Sequence, residues 1–260
     1  MATNGYGSPL RFKAQLRPGV DHPLDGIPID VAGQLQNVVP SALVHSFDHF
    51  TKTSGPLAEG AANNGYTLVG TTGVAVATLA VDDSGKYILT TGGTENDNAV
   101  LRQTAHTINY STSLNIIWAA RIALNDVNDG EFWAGINVDN SDFVAGLPAD
   151  GFFFSKAETA TELSFQVRGG GTSTTVALGA PTLVDDQEYV LVIRIVNGNV
   201  TPYVYDVTAE AWTEGAVTLS TDANQPATTI DMHQHIALET GAAAALTCSI
   251  DWMYLGKDAA

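Results

Sequence analysis

The sequence is poor in cysteine, in cations and in long apolar runs, and each shortage removes a class of protein. One residue in 260 is cysteine, Cys248. A lone thiol forms no intrachain disulfide, and its setting in "LTCSIDW" alternates as a strand does, so it reads as a small core residue. Lys and Arg number 11 against 28 Asp and Glu, for a formal net charge of −17. That balance argues against nucleic acid, because phosphate binding needs a concentrated basic face. The purely apolar runs, such as "IIWAA" and "YVLVI", stop at five residues, far short of the ~20 that a membrane helix needs. The N-terminus "MATNGYGSPLRFK" lacks the apolar core of a signal peptide. The expectation is a chain made and folded in a cytoplasm, with no membrane partner.

What is present is unevenly distributed. Residues 1–20 hold Arg11, Lys13 and Arg17 and no Asp or Glu, while no Lys or Arg stands between Arg194 and Lys257. A small basic arm on an acidic body points to an arm that touches something negative. The first 45 residues also hold Pro9, Pro18, Pro23, Pro28 and Pro40, half of the ten prolines. Such spacing prevents long helices and central strands. Only "DVAGQLQNVV" (30–39), with Asp30 as N-cap, suits a short helix. The segment 1–45 is therefore expected to be an extended arm, followed by a single domain over 46–260.

From Ser46 the pattern is short β-rich runs split by Gly, Asn and Asp, about thirteen of them, with almost no helical periodicity. "VNGN" (196–199) suits a type I′ hairpin, whose two central residues both need φ > 0. The longer strands favour a two-sheet sandwich, with a closed barrel as the structural alternative. Three runs stand out: "IIWAARI", "YVLVIRIV" and "DGFFFSK". Strands with one wet face alternate, whereas these are apolar on both sides. One face of each must meet the opposite sheet. The other face, marked either by Phe153 or by Phe152 and Phe154, is expected to be covered without a ligand.

Catalytic constellations are sparse. There is no G-x-S-x-G elbow, H-E-x-x-H, Walker loop or paired-Cys motif. His233 and His235 in "DMHQHI" share a strand face, but no third ligand is identifiable. They read as polar residues on the wetter face. "LNDVNDGE" (124–131) and "NVDNSDF" (137–143) are rich in the Asp and Asn oxygens that calcium prefers. Neither fits the calcium-loop register, and Asx-rich turns form without metal. No metal ligand is assigned and no cofactor is expected, with calcium the one ion the loops suggest.

The body resembles the concanavalin A-like lectin/glucanase sandwich, in the versions found in tailed-bacteriophage virion proteins. The likeness rests on the order of "HSFDHF", "KYILTTGGTENDNAVLRQ", "LNIIWAARIALND…EFWAGINVDN", "DGFFFSK", "QEYVLVIRIVNGNVTPYVYD" and "IALETGAAAALTCSIDWMYLG". It implies a jelly roll of two curved antiparallel sheets, one packed inside the other. The glucanase carboxylate pattern E-x-D-x-x-E is met by Glu95 and Asp97 and fails at Val100, so no enzyme activity is expected. The lectin metal motif is not matched. The resemblance implies a structural virion protein on the capsid surface, a decoration or minor capsid component. Its arm would bind the major capsid protein or another virion protein through Arg11, Phe12, Lys13 and Arg17. A homo-oligomer is implied, with a trimer the common form near lattice three-folds. The alternative is a carbohydrate-binding module for host glycans, whose concave-face contacts would be Trp133, Phe152, Phe153 and Phe154.

Overall fold

The computed structural model describes residues 10–11, 28–29, 44–49, 62–63, 66–70, 78–81, 86–103, 107–112, 114–138, 146–241 and 244–259. The chain divides into two compact units, Met1–Leu43 and Val44–Ala260. In the first, the described residues form two short antiparallel strands, β1 (Leu10–Arg11) and β2 (Pro28–Ile29), with Leu10 opposite Ile29. Arg11 ends β1. Phe12, Lys13, Arg17 and the helix expected over 30–39 lie outside the described residues.

The second unit is built from two antiparallel sheets, with no helix among the described residues. One sheet has eight strands. Its path runs β17 (Ala211–Glu214), β16 (Asn199–Asp206), β15 (Tyr189–Val196), β10 (Leu114–Leu124), β19 (Thr247–Ala259), β7 (Tyr87–Thr90) and β6 (Thr78–Val81), and β3 (Val44–His49) also pairs with β19. The other sheet has nine. Its path runs β14 (Thr172–Thr182), β13 (Glu162–Gly169), β12 (Gly151–Lys156), β11 (Glu131–Asn137), β18 (Asp231–Glu239), β8 (Asn98–Gln103), β5 (Tyr66–Gly70) and β4 (Ala62–Asn63), and β9 (Ile108–Asn109) pairs with β18. Beyond the expected thirteen, β4, β9 and β17 span only two to four residues, too few for a period of two to register, and β3 adds the run "VHSFDH".

The core is the space between the sheets. Phe152 and Phe154 of β12 and Phe165 and Val167 of β13 face it from one side, and Trp118 of β10 and Leu191 and Ile193 of β15 from the other. The Trp118 and Phe154 rings approach across the sandwich, centroids 6.4 Å apart, and Phe154 meets Phe165 edge-on at 5.3 Å. Each such side chain contributes about 1.5–3 kcal/mol by leaving water. Strand β19 keeps both ends facing this core only by a bulge. Arg121 pairs with Trp252 and Ile122 with Ile250, so Asp251 is an extra residue. Cys248 and Ile250 point inward before it, and Met253 and Leu255 after it. A bulge changes which alternate positions face the core, which a strict alternation cannot reproduce. The Cys248 thiol is fully buried in the core, and burial pushes it far above its ordinary range.

The hairpin at 196–199 forms as the sequence requires, with Asn197 at φ 50° and Gly198 at φ 77°. The two-sided runs are covered on both faces. In the eight-stranded sheet, Ala119 and Val192 point away from the core and are nonetheless buried. The register places them in one row, Tyr254–Ala119–Val192–Tyr203, so two tyrosines flank the two smaller side chains.

Candidate functional site

The outer face of the nine-stranded sheet carries the odd-numbered residues of β11, β12 and β18. Trp133 and Phe153 stand there, with Val100 and Ala237, in a cluster separate from the main core. Their rings lie 6.2 Å apart, tilted by 53°. Both are fully buried. Of the four aromatic side chains considered as ligand contacts, Phe152 and Phe154 therefore belong to the core between the sheets. Trp133 and Phe153 mark the other face, and it is closed. The alternation of β12 explains the split: one strand cannot present all three rings to one side.

The same face gathers polar groups that the sequence did not bring together. Across the strands the register sets Gln166, Phe153, Gly135, His235 and Arg102 in one row. Gly135 is required there, because a Cβ would strike the Phe152 carbonyl oxygen and come within 2.8 Å of the Phe153 Cβ. His233 and His235 share the face, as their spacing predicts, but the face is not the wet one: His235 has no exposed surface. Its Nδ1 lies 3.0 Å from the His233 carbonyl, so Nδ1 carries the proton and donates. Burial foremost, then the His233 and Arg102 charges, bring its pKa down to about 3, against the single opposing effect of that hydrogen bond. The imidazole is neutral near pH 7. Gln234, on the core side, donates to Gln103 at 2.5 Å. Among the described residues no group of three His, Cys, Asp or Glu is placed to hold a metal.

Toward the β14 edge the outer face opens: Ser155 and Ser164 are half-buried and Thr175 is exposed, Gln166 between them is buried, and Glu162 and Arg168 stand at the two ends of the β13 row. The Ser155 and Ser164 hydroxyls are 2.8 Å apart, the Gln166 amide donates to Ser164 at 3.5 Å, and Thr175 donates to the Gln166 carbonyl oxygen at 3.0 Å. Thr175 also lines a groove of about 600 Å³ between β14 and the segment 216–222. Val217 and Leu219, 49% and 59% exposed, are two of the three exposed large apolar side chains among the described residues, and both line this groove. In its wall the Thr218 hydroxyl is buried and unpartnered. Asp222, the one charge, accepts from the Thr174 hydroxyl at 2.9 Å and from the Asn224 amide at 2.8 Å. Neither edge of this site was legible as a motif. The signal available was the Ser/Thr run of "GGGTSTTVALG".

Other groups singled out by sequence have local structural work. Glu95 is exposed in a turn, and Asp97 is buried and accepts from the Thr94 amide at 2.8 Å. In the loop 124–131, Asp126 accepts from the amides of Asn128 and Asp129. Residues 139–143 of the second oxygen-rich loop lie outside the described residues. On the eight-stranded sheet Tyr205 and Trp212 are half-exposed and stack on each other, centroids 4.8 Å apart and 31° between planes, so each ring already occupies a face of the other.

No protein-family model matches the chain, and no curated protein does. Solved structures do. The basic winged bean lectin with Tn-antigen matches with a TM-score of 0.56 and 11% identity, over 84% of this chain and 99% of its own. Lectin UEA-II complexed with galactose matches at 0.56 and 12%, over 83% and 98%. A protein of unknown function, SO2946 from Shewanella oneidensis MR-1, matches at 0.54 and 10%, over 83% and 87%. At such identities the likeness is one of fold, and the fold is the all-β concanavalin A-like jelly-roll sandwich of these lectins.

Proposed function

We propose that this protein is a carbohydrate-binding module of the lectin-like sandwich type. One observation carries the reading: the outer face of β12–β14 presents the hydroxyls of Ser155, Ser164 and Thr175, held together by the buried Gln166 amide, beside the groove along β14 that Thr175 also lines. Saccharides carry hydroxyls that both donate and accept, and hydroxyl and amide side chains do the same. Ligand sites combine a few such groups with apolar walls in a concave place. The groove supplies the walls from Val176, Val217 and Leu219. Two lectins of the same fold are described with Tn-antigen and with galactose. A glycan array tests the reading: neutral glycans bind the wild type and are lost from Gln166→Ala.

A second reading is a capsid-surface module of a tailed phage, attached by its arm to the major capsid protein or a neighbouring copy. It is favoured by the closure of Trp133 and Phe153, the two rings that the described residues of β11 and β12 place on the outer face. Deleting residues 1–40 would then leave a folded body that no longer decorates capsids. Normal decoration by the truncated body would remove this reading.

A further inference from the structure

The groove beside β14 runs along the strand's edge rather than over one of its faces. Its wall on that side is four consecutive residues, 174–177. Successive side chains of a strand point to opposite faces, so a space that touches all four follows the main chain. β14 ends the path of the nine-stranded sheet, and among the described residues it pairs with β13 alone. Alternate residues of such an edge turn their N–H and C=O groups out of the sheet.

The opposite wall is also four consecutive residues, 216–219. Thr218 exchanges both main-chain bonds with Val200 of β16, each 2.9 Å. In that antiparallel geometry its neighbours Val217 and Leu219 turn their main-chain groups away from β16. The Leu219 carbonyl accepts from the Asp222 amide and the Gln225 side chain, whereas the Val217 main chain bonds to none of the described residues. The segment is fastened to β14 at both ends. Gly215 packs against Leu178, where a Cβ would lie 2.7 Å from a side-chain carbon. At the other end Asn224 donates to the Thr174 hydroxyl, which donates to Asp222. Between these points no main-chain bond joins the segment to β14 among the described residues. Val217 and Leu219, two apart and exposed, line the space that is left.

We propose that this groove takes an extended peptide, added to the edge of β14 as a further strand of the nine-stranded sheet. The peptide's main chain pairs with β14, and its apolar side chains at alternate positions rest on Val217 and Leu219. In strand addition at an exposed edge, main-chain bonds supply affinity and alternate side chains supply selectivity. The ligand is uncharged or cationic. The one charge lining the groove is the Asp222 carboxylate, and the chain carries a net −17, which repels acidic peptides. The inference goes beyond the saccharide reading. A glycan and a peptide share Thr175 and Leu219 and so compete, but peptide binding needs no sugar.

Titration calorimetry of the full chain with a capped peptide, Thr-Val-Thr-Val-Thr-Lys, tests this. Wild type is expected to bind it, and to bind the same peptide ending in Glu several-fold more weakly. N-methylation of alternate peptide amides, made separately for the two edges, keeps the side chains and removes main-chain donors. At least one methylated peptide is expected to lose about tenfold or more, as two or three missing hydrogen bonds imply. Leu219→Ser is expected to weaken the parent peptide several-fold while melting close to wild type. Asp222→Asn is expected to bring the Lys and Glu peptides to similar affinities. The proposal is overturned if folded wild type binds no peptide, if both methylated peptides bind like the parent, or if Leu219→Ser binds the parent like wild type. It is also overturned if sedimentation shows a dimeric wild type and a monomeric Leu219→Ser, because the edge then belongs to a second copy. A glycan array without hits leaves the peptide result standing, and a failed peptide titration leaves the saccharide reading standing.

Discussion

Trp133 and Phe153 pack ring against ring on the outer face of the nine-stranded sheet, 6.2 Å between centroids, with no surface left for a ligand. Their contribution is therefore to stability. Phe153→Ala is expected to cost about 3–5 kcal/mol, the usual loss for a large ring removed from a packed site. Chemical denaturation measures it. A variant of undiminished stability that loses ligand binding would reassign both rings to a binding surface.

The row that holds Phe153 also holds His235, and its burial sets a pH dependence. The imidazole is expected near 6.5 when unfolded and near 3 in the fold. Between those values the unfolded chain binds a proton that the native chain does not. Stability present above pH 6.5 is therefore lost as the pH falls toward 3, by at most about 5 kcal/mol. In His235→Gln the melting temperature should fall less steeply over that window than in wild type. Equal slopes would contradict the assignment of a neutral, buried imidazole.

Gly198 tests the local rule by which the 196–199 hairpin was read. It sits at φ 77°, and a Cβ there would lie 2.8 Å from Ser220 and Thr112 side-chain carbons and 2.9 Å from the Tyr110 hydroxyl. Gly198→Ala combines left-handed strain with overpacking and is expected to cost about 2 kcal/mol or more in urea unfolding. A loss below about 0.5 kcal/mol would show that the turn relaxes freely.

The groove predicts a split between stability and binding. Leu219→Ser replaces an exposed apolar wall, so it should leave the unfolding midpoint nearly unchanged. Glycan binding should weaken several-fold by titration calorimetry. Unchanged affinity would remove the groove from the site, leaving the Ser164–Gln166–Thr175 field alone.

How far the sequence reached depends on whether the signal was local. The two-sided character of "DGFFFSK" and "YVLVIRIV" was visible because β alternation acts over two residues. The sandwich followed from many such strands. Which of the three phenylalanines faced outward was not visible. That choice needs the register that seats Phe153 opposite Gly135 and Gln166, residues 18 and 13 positions away in sequence. The β19 bulge at Asp251 was hidden for the same reason. His235 was read onto the wet face because H-x-H fixes that two rings share a side and says nothing about what covers it. Burial of Lys156 escaped notice because its ammonium donates to the main-chain carbonyls of Gly130, Ala157 and Glu158, which no sequence pattern marks.

The central claim is carbohydrate recognition by the hydroxyl field of β12–β14, and a glycan array read with wild type beside Gln166→Ala, which removes the amide that holds the Ser164 and Thr175 hydroxyls, tests it most directly. The account predicts binding to neutral glycans by the wild type and its loss in the variant, with both proteins melting within a few degrees of each other. No binding by folded wild type to any glycan on the array, or equal binding by both proteins, would contradict it.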